Sequence, residues 1–210
     1  MIKRFCALAA ASVLCACATP PAPLFNGSDM SGWELVTATN AALADSVRVL
    51  PGGIIAVTGE PVGYLASTTQ HGDYTLSFDW RWSDKPGNAG ALLHIASGPR
   101  DRAWPLSIQV QTKHTSVGDI LPMAGASFSE PLTSAPGAAP QIKARTGADS
   151  EKPAGAWNAC EIVSRAGSIT VTVNGVVQNK ISGAMPHAGK IGFQLEGTPF
   201  QLRNVKLSPL

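Results

Sequence analysis

The sequence is short of charged side chains and of helical periodicity, and both shortages restrict the fold. Only 14% of its residues are charged, whereas 21 residues are glycine and 16 are proline. No long stretch repeats apolar residues at the 3.6-residue spacing of an amphipathic helix. The formal net charge is only +2 and no basic run occurs, which argues against a nucleic acid as a partner. Such a chain favours strands and turns.

Cysteine is also scarce, and its placement argues against an internal disulfide. Three of the four cysteines, Cys6, Cys15 and Cys17, lie in an N-terminal segment that we expect to be processed. The remaining Cys160 then has no partner. It lies two residues from Ile162 and therefore on the same side of a predicted strand. We expect a buried structural thiol rather than a nucleophile.

The N-terminus resembles that of an exported lipoprotein. In residues 1–17, Lys3 and Arg4 precede an apolar run that is too short to span a bilayer, as in a secretory signal peptide. The run ends in Leu-Cys-Ala-Cys, which is similar to a lipobox with Cys17 as the lipidated residue. Cleavage after an alanine, without lipidation, is the alternative. Residues 18–23, ATPPAP, follow as a proline-rich tether, so we expect a lipid anchor in a bacterial cell envelope, at the outer membrane or facing the periplasm.

Strand signals recur through residues 24–210. In YTLSFDWRW (74–82) apolar and polar residues alternate, and Asn174-Gly175 between two β-branched runs is typical of a hairpin turn. Further strand-like segments are 52–60, 64–68, 89–97, 107–113, 159–165, 168–180, 189–197 and 200–207. The stretch 121–153 is long and irregular, which is typical of a binding site or of disorder. Many short strands without alternating helices predict one all-β domain, an antiparallel sandwich or barrel.

One predicted strand, SIQVQTK (107–113), has an unusual polar row. Its isoleucine and valine point to one side, and Gln109, Gln111 and Lys113 point to the other. If the strands pack on one apolar core, their opposite faces share one surface. By the same alternation that surface would also hold Asp79, Arg81, His94, Gln194 and Glu196. Amides and charged groups suit sugar hydroxyls, because each hydroxyl both donates and accepts; an ordinary solvated face is the alternative.

Ordered segments of the chain resemble the 3-keto-disaccharide hydrolase domain family (DUF1080). LFNGSDMSGW (24–33) is similar to the family's opening motif, and NAGALLHI (88–95) is similar to its asparagine–small–glycine strand. The further matching segments are TGEPVGYLAST (58–68), DYTLSFDWRW (73–82), WPLSIQVQ with VGDI (104–120), AGAWNACEIV (154–163), VNGVVQNK (173–180) and GKIGFQLEGTPFQLRNVKL (189–207). The resemblance covers nearly all of residues 24–210. It implies a concanavalin A-like jelly-roll sandwich of two antiparallel sheets.

The resemblance also implies a chemistry, the cleavage of glycosides whose sugar has a ketone at C3. That ketone acidifies the hydrogen at C2, so a modest base can remove it, after which the anomeric group leaves and water adds. The candidate catalytic bases are His94 and Glu196; a structural histidine and a turn carboxylate are the alternatives. The candidate substrate-binding residues are Arg81, Gln109, Gln111, Lys113, His114, Asp119, Gln194 and Trp104, with Trp33 and Trp157 as further flat faces for sugar rings.

Two glutamines depart from the family's pattern. Family members usually have glutamate at the position of Gln109, and glutamate is common at that of Gln201. A glutamine keeps the shape and the hydrogen bonds of a carboxylate but cannot take a proton. Three hypotheses therefore stand: a hydrolase or lyase of 3-keto-glycosides, a non-catalytic carbohydrate-binding lipoprotein, and a structural envelope lipoprotein with a protein partner.

The sequence predicts no metal or cofactor. His114 and Asp119 lack a recognised ligand spacing, and neither a cysteine pair nor an aspartate-rich loop occurs, so a structural divalent cation has no support. No glycine-rich phosphate loop or nucleophile elbow is present. We expect a monomer whose partners are a carbohydrate and, through the lipid anchor, the membrane.

Overall fold

The computed structural model describes residues 22–210, and strands dominate this part of the chain. The signal peptide predicted for residues 1–17, the lipidation site Cys17 and most of the tether 18–23 lie outside the described residues. In chain order the elements are β1 (Ala22–Pro23), β2 (Trp33–Thr37), α1 (Leu43–Ser46), β3 (Val47–Leu50), β4 (Ile54–Val57), β5 (Gly63–Ser67), β6 (Tyr74–Trp82), β7 (Gly90–Asp101), β8 (Trp104–Gln111), β9 (Ile120–Met123), β10 (Asn158–Arg165), β11 (Ser168–Val173), β12 (Val176–Ile181), β13 (Lys190–Leu195) and β14 (Phe200–Pro209). Within residues 22–210, no helix has the length and apolar character that a membrane crossing requires.

The strands form two antiparallel sheets. The larger sheet has the order β12-β11-β10-β6-β14-β4-β3, with β1 paired to β14. The smaller sheet has the order β2-β5-β13-β7-β8-β9. Neighbours such as β13 and β5 are far apart in the sequence, because the chain repeatedly crosses from one sheet to the other. The predicted all-β sandwich of two antiparallel sheets is confirmed.

The core lies between the sheets and is made by alternating apolar side chains. In β6, Leu76, Phe78, Trp80 and Trp82 are buried, and the residues between them are partly exposed, as the sequence alternation predicts. Phe78 packs edge-on against Phe193 of the smaller sheet, with ring centroids 5.1 Å apart. Burying one such side chain contributes roughly 2–3 kcal/mol. This gain fixes which side of each strand points outward.

Cys160 belongs to the same core. Its burial raises the pKa of the thiol far above its usual range, because the charged thiolate is disfavoured without water. The prediction of a buried structural cysteine is confirmed.

The irregular stretch after β9, residues 124–157, connects the two sheets. Lys143 pairs through its backbone with Ile120 of β9, and its buried Nζ donates to Asn179 Oδ1 of β12 at 2.6 Å. Asn179 Nδ2 in turn donates to backbone carbonyls, including that of Gly118. Because β9 and β12 belong to different sheets, the stretch ties them together at one end of the sandwich.

Candidate active site

A cleft of about 560 Å³ lies on the outer face of the smaller sheet. Gln109 and Gln111 of β8 and Gln194 of β13 point outward here, because neighbours such as Ile108 and Leu195 point into the core. The other polar lining residues are Asn88, Lys113 and Glu196 near one end, Asp101, Arg102 and Trp104 at the β7–β8 hairpin, and Gln141 from the irregular stretch. The polar row predicted from SIQVQTK therefore lines a concave site.

Glu196 is the carboxylate near one end of the cleft, immediately after β13. Its Oε2 accepts two hydrogen bonds, from Asn88 Nδ2 at 2.6 Å and from Gln194 Nε2 at 2.7 Å. Its other oxygen, Oε1, has no hydrogen-bond partner within residues 22–210. Burial raises the pKa of Glu196, and the nearby Lys113 partly offsets the rise. The arrangement holds one oxygen in place and leaves the other able to take a proton.

Three glutamines continue this hydrogen-bond chain, and Glu196 fixes how each amide is turned. An ionised carboxylate only accepts, so Gln194 presents Nε2 to Glu196 and Oε1 to Gln109. Gln109 must then donate, and its Nε2 bonds to Gln194 Oε1 and, at 3.0 Å, to Gln111 Oε1. Gln111 Nε2 is left without a partner in the described part of the chain. We call Glu196, Gln194, Gln109 and Gln111 the amide relay.

Gly90 makes room for the amide relay. It pairs with Gln111 across β7 and β8. A Cβ at position 90 would lie 2.5 Å from Gln109 Nε2 and 2.9 Å from Val110 O. The site therefore needs a residue without a side chain here. Gly90 and Asn88 were not predicted as site residues, although both fall in the family-like segment NAGALLHI; an amide and a glycine at the start of an apolar strand were the available signal.

The hairpin that joins β7 and β8 forms the other end of the cleft. Trp104, a predicted substrate-binding residue, lines the cleft there. Asp101 and Arg102 also line it, and their exposed side chains form an ion pair of 3.8 Å. Both were missed by sequence reasoning, because a hairpin tip shows no alternation from which its orientation can be read. Trp104 and Gln111 are seven residues apart on β8, a backbone separation of about 23 Å.

His94 does not lie in the cleft, and the prediction that it shares the polar face is wrong. Strict alternation would place the His94 side chain on the same face of β7 as that of Leu92. Leu92 pairs with Gln109, which points outward into the cleft. His94 instead has a φ of 56°, and a bulge in β7 turns its side chain inward. It is fully buried, with its ring nitrogens 2.9 Å from Pro186 O and 2.9 Å from Ser164 Oγ of the larger sheet. Enclosed in this way, it cannot act as a base on a ligand in the cleft and is a structural histidine.

Arg81 lies on the other sheet, contrary to the prediction that it contributes to the same surface. It donates to Gln201 of β14 at 2.8 Å. The guanidinium groups of Arg81 and Arg203 stack on Trp157, at 4.5 and 4.1 Å from the ring centroid. Alternation shows which residues of a strand share a face, but it does not show which sheet contains the strand. Of the other tryptophans, Trp33 is buried in the core, so Trp33 and Trp157 are both unavailable to the cleft.

His114 and Asp119 are not among the residues that line the cleft. His114 Nδ1 lies 2.8 Å from Glu151 Oε2, and the other oxygen of Glu151 accepts from Trp82 Nε1 at 3.0 Å. Asp119 accepts from the backbone N–H of Arg145 at 2.8 Å, and burial raises the pKa of this aspartate. Both side chains anchor the irregular stretch, so their positions do not support the predicted substrate-binding roles.

The polar groups of the cleft suit a carbohydrate. In the part of the chain that the structure describes, no group of three or more His, Cys, Asp or Glu side chains is placed to hold a metal. The relay instead offers amide donors and acceptors beside a carboxylate. These are the groups that bind sugar hydroxyls.

The sequence matches the family described as a 3-keto-alpha-glucoside-1,2-lyase-like domain over residues 20–208. The chain belongs to this family. The family is carbohydrate-active and glycosyl hydrolase-like, and the matched region contains both sheets and the whole cleft. None of the curated proteins matches the sequence.

Solved structures with the same architecture confirm the jelly-roll fold. A candidate glycosyl hydrolase from Parabacteroides distasonis has a TM-score of 0.67 and 20% identity, over 89% of this chain and 92% of that one. The carbohydrate-binding module CBM66 from Bacillus subtilis has a TM-score of 0.58 and 14% identity, over 86% and 97%. The β-glucanase of Bacillus licheniformis has a TM-score of 0.56 and 12% identity, over 90% and 96%. At these identities the likeness shows the fold alone.

Proposed function

We propose that this protein cleaves 3-keto-glycosides by elimination followed by hydration, with Glu196 as the base. The observation that supports this most strongly is the environment of Glu196: one oxygen is held by two amides, and the other has no partner among the residues that the structure describes. The raised pKa of Glu196 suits a general base, because a stronger base removes a carbon-bound proton more readily. Membership of a lyase-like carbohydrate-active family supports the reaction class.

The proposed reaction begins at C2 of the keto sugar. Glu196 takes the C2 proton, and the electron pair of that C–H bond forms an enolate with the C3 ketone. Lys113 is the cation that stabilises the negative oxygen of the enolate. The electron pair then forms a C1–C2 double bond while the C1–O bond breaks, and the released alcohol takes a proton from solvent. Water adds at C1, and a proton returns to C2 to give the free 3-keto sugar.

The positions of the carboxylates favour this route over ordinary glycoside hydrolysis. Ordinary glycosidases use two carboxyl groups about 5–9.5 Å apart on either side of the bond. The second carboxylate that lines this cleft, Asp101, pairs with Trp104 at the hairpin. Trp104 is about 23 Å along β8 from Gln111, the last residue of the amide relay. A base acting on an acidified C2 hydrogen needs only Glu196.

An aryl 3-keto-glucoside tests the proposal directly, because elimination releases a coloured aryl alcohol. Glu196→Gln keeps the hydrogen-bonding shape but removes the base, so the rate should fall by about 100-fold or more. Glu161→Gln is the matched control, since Glu161 is exposed on β10 of the larger sheet. Absence of release by the unaltered protein at high concentration would contradict the proposed activity.

A second function, carbohydrate binding without catalysis, has one observation in its favour. The centre of the relay is Gln109, a neutral amide that can hold a hydroxyl but cannot transfer a proton. Calorimetry with methyl glucoside and with its 3-keto derivative distinguishes the two functions. Binding of both sugars with no release of the aglycone would favour a binding protein.

We also propose that the protein is anchored in the cell envelope through a lipid on Cys17. The support is the lipobox-like end of residues 1–17 and the tether that follows. Labelling with radioactive palmitate in a bacterial host should mark the full chain and not Cys17→Ser. Cys6→Ser is the control, because Cys6 lies inside the predicted signal peptide. Equal labelling of the Cys17 variant would contradict the anchor.

A further inference from the structure

We propose that Gln109 is a positioning residue: it holds Gln111 with its amide nitrogen free to donate to the ketone oxygen of the substrate. This inference rests on the proposed function, because a ketone oxygen that becomes an enolate needs hydrogen-bond donors. Gln111 would then complement Lys113 at that oxygen. Gln109 itself would touch the reaction only through the orientation of its neighbour.

The orientation of the three glutamine amides follows from the charge of Glu196. It does not depend on an arbitrary assignment of the oxygen and the nitrogen within each amide. Each step of the relay is forced, because a carboxylate only accepts, and the oxygens of Gln194 and Gln111 must then face the NH₂ group of Gln109. Gln109 uses its single NH₂ group for two bonds, to Gln194 Oε1 and to Gln111 Oε1. Gln111 consequently turns its own NH₂ group away from Gln109. That group has no other partner within residues 22–210 and belongs to a side chain that lines the cleft.

Packing keeps the relay from rotating as a unit. Gln109 is 1% exposed and Gln194 is 3% exposed. If either amide flipped, its oxygen would face another hydrogen-bond acceptor, and no water could reach the pair to supply a donor. The backbone of Gly90 closes one side of the Gln109 amide. A buried acceptor facing an acceptor costs more than the bond it replaces, because both groups lose their solvation. The relay therefore has one favoured orientation while Glu196 is ionised.

A carboxylate at position 109 would reverse this orientation. Such a carboxylate would only accept, so the amides of Gln111 and Gln194 would both have to turn their nitrogens toward it. Gln111 would then lose its free donor. Gln194 would turn its oxygen toward Glu196, which is unfavourable while Glu196 is ionised, because both groups would be acceptors. The substitution Gln109→Glu changes charge but hardly changes volume. It therefore tests orientation rather than packing.

The kinetic test uses the full chain with an aryl 3-keto-glucoside. We expect Gln109→Glu to lower kcat about 100- to 1,000-fold, the range for loss of one donor to a developing oxyanion, while KM changes less than threefold. Gln111→Met, which removes the donor without adding charge, should lower kcat similarly. Gln201→Glu is the matched control, because it makes the same change on β14 of the larger sheet, and it should leave kcat unchanged. An unchanged or higher kcat in Gln109→Glu or in Gln111→Met overturns the proposal and leaves the proposed function intact.

A spectroscopic test separates this inference from the proposed activity. The side-chain amide signal of Gln111 in a ¹H–¹⁵N spectrum is assigned by its loss in Gln111→Met. On addition of methyl 3-keto-glucoside it should shift in the unaltered protein and in Gln201→Glu, but not in Gln109→Glu. This readout is independent of turnover, so it supports the positioning role even if no aglycone is released. An equal shift in Gln109→Glu, or no shift in the unaltered protein at saturating sugar, overturns the role of Gln109.

Discussion

His94 and Ser164 join the two sheets of the sandwich through a hydrogen bond of 2.9 Å between Nε2 and Oγ. Pro186 O can only accept, so Nδ1 of His94 carries the proton and Nε2 accepts from the serine hydroxyl. The neutral imidazole thus satisfies both contacts. A protonated ring would have to donate at both nitrogens and would place a charge in the core.

The first prediction concerns the pH dependence of stability. Burial lowers the pKa of His94 below 6.5, the ordinary value for histidine. The unfolded chain therefore binds a proton at higher pH than the folded chain does, and the free energy of unfolding should fall as pH drops below about 6.5. Urea unfolding between pH 8 and 5 measures this slope. His94→Gln should reduce the slope. His187→Gln, at an exposed position, should change the slope less, because the charge of His187 lowers the pKa of His94 by less than burial does.

Removing the partner of His94 should weaken the fold without affecting the cleft. Ser164→Ala leaves Nε2 buried and unpaired, which should lower the free energy of unfolding by about 1–3 kcal/mol. The aglycone release rate of the folded fraction should stay within twofold of the unaltered protein, because Ser164 does not line the cleft. Denaturant unfolding and a rate assay at low temperature check both parts. A selective loss of rate would show that His94 does communicate with the cleft.

Lys113 should tune the pH at which the cleft becomes active. Glu196 acts as a base only when ionised, so activity should be lost as pH falls through its raised pKa. Lys113 lowers that pKa, and Lys113→Met should therefore raise it and move the acid limb of the rate profile to higher pH. Lys152→Met, which lies outside the cleft, should leave the limb in place. A limb that moves to lower pH would exclude Glu196 as the titrating base.

Gly90 should be essential to the amide relay. In Gly90→Ala the new methyl group would meet Gln109 Nε2 at 2.5 Å, so the glutamine must move and its two hydrogen bonds must break. We expect a loss of about 1–3 kcal/mol in stability from the overpacking. Sugar affinity, measured by calorimetry, should fall about tenfold or more. Gly72→Ala is the control, since no atom lies within 4 Å of its added Cβ; equal affinities in the two variants would contradict the role of Gly90.

The anchor of the irregular stretch should depend on Lys143. Lys143→Met removes the shorter of the two hydrogen bonds to Asn179 Oδ1 and leaves the backbone N–H of Lys180 as its donor, and we expect a loss of about 1–3 kcal/mol in the free energy of unfolding. Limited proteolysis should cut residues 124–157 faster in this variant. Lys180→Met, at an exposed position on the same strand as Asn179, should be cut at the original rate. Unchanged cleavage in Lys143→Met would show that the other contacts suffice.

Several features of the site could be read from the sequence because they depend on local alternation. Ile108 and Val110 are buried in the core, and this alone turns Gln109 and Gln111 outward. The same reasoning placed Gln194 correctly. It failed for His94, where one residue in the left-handed region interrupts the alternation. Asn88 was missed because it precedes β7, so no alternation showed where its side chain points.

The sequence by itself determined the fold class and the inward or outward direction of most side chains, because burial of alternate residues is decided within each strand. Only the tertiary structure decided which outward faces meet. It separated Arg81 from Gln109 by placing β6 and β8 in different sheets, and it brought Asn88 to Glu196 across 108 residues of sequence. Sheet membership depends on pairing between distant strands, and no local pattern of side chains encodes that pairing.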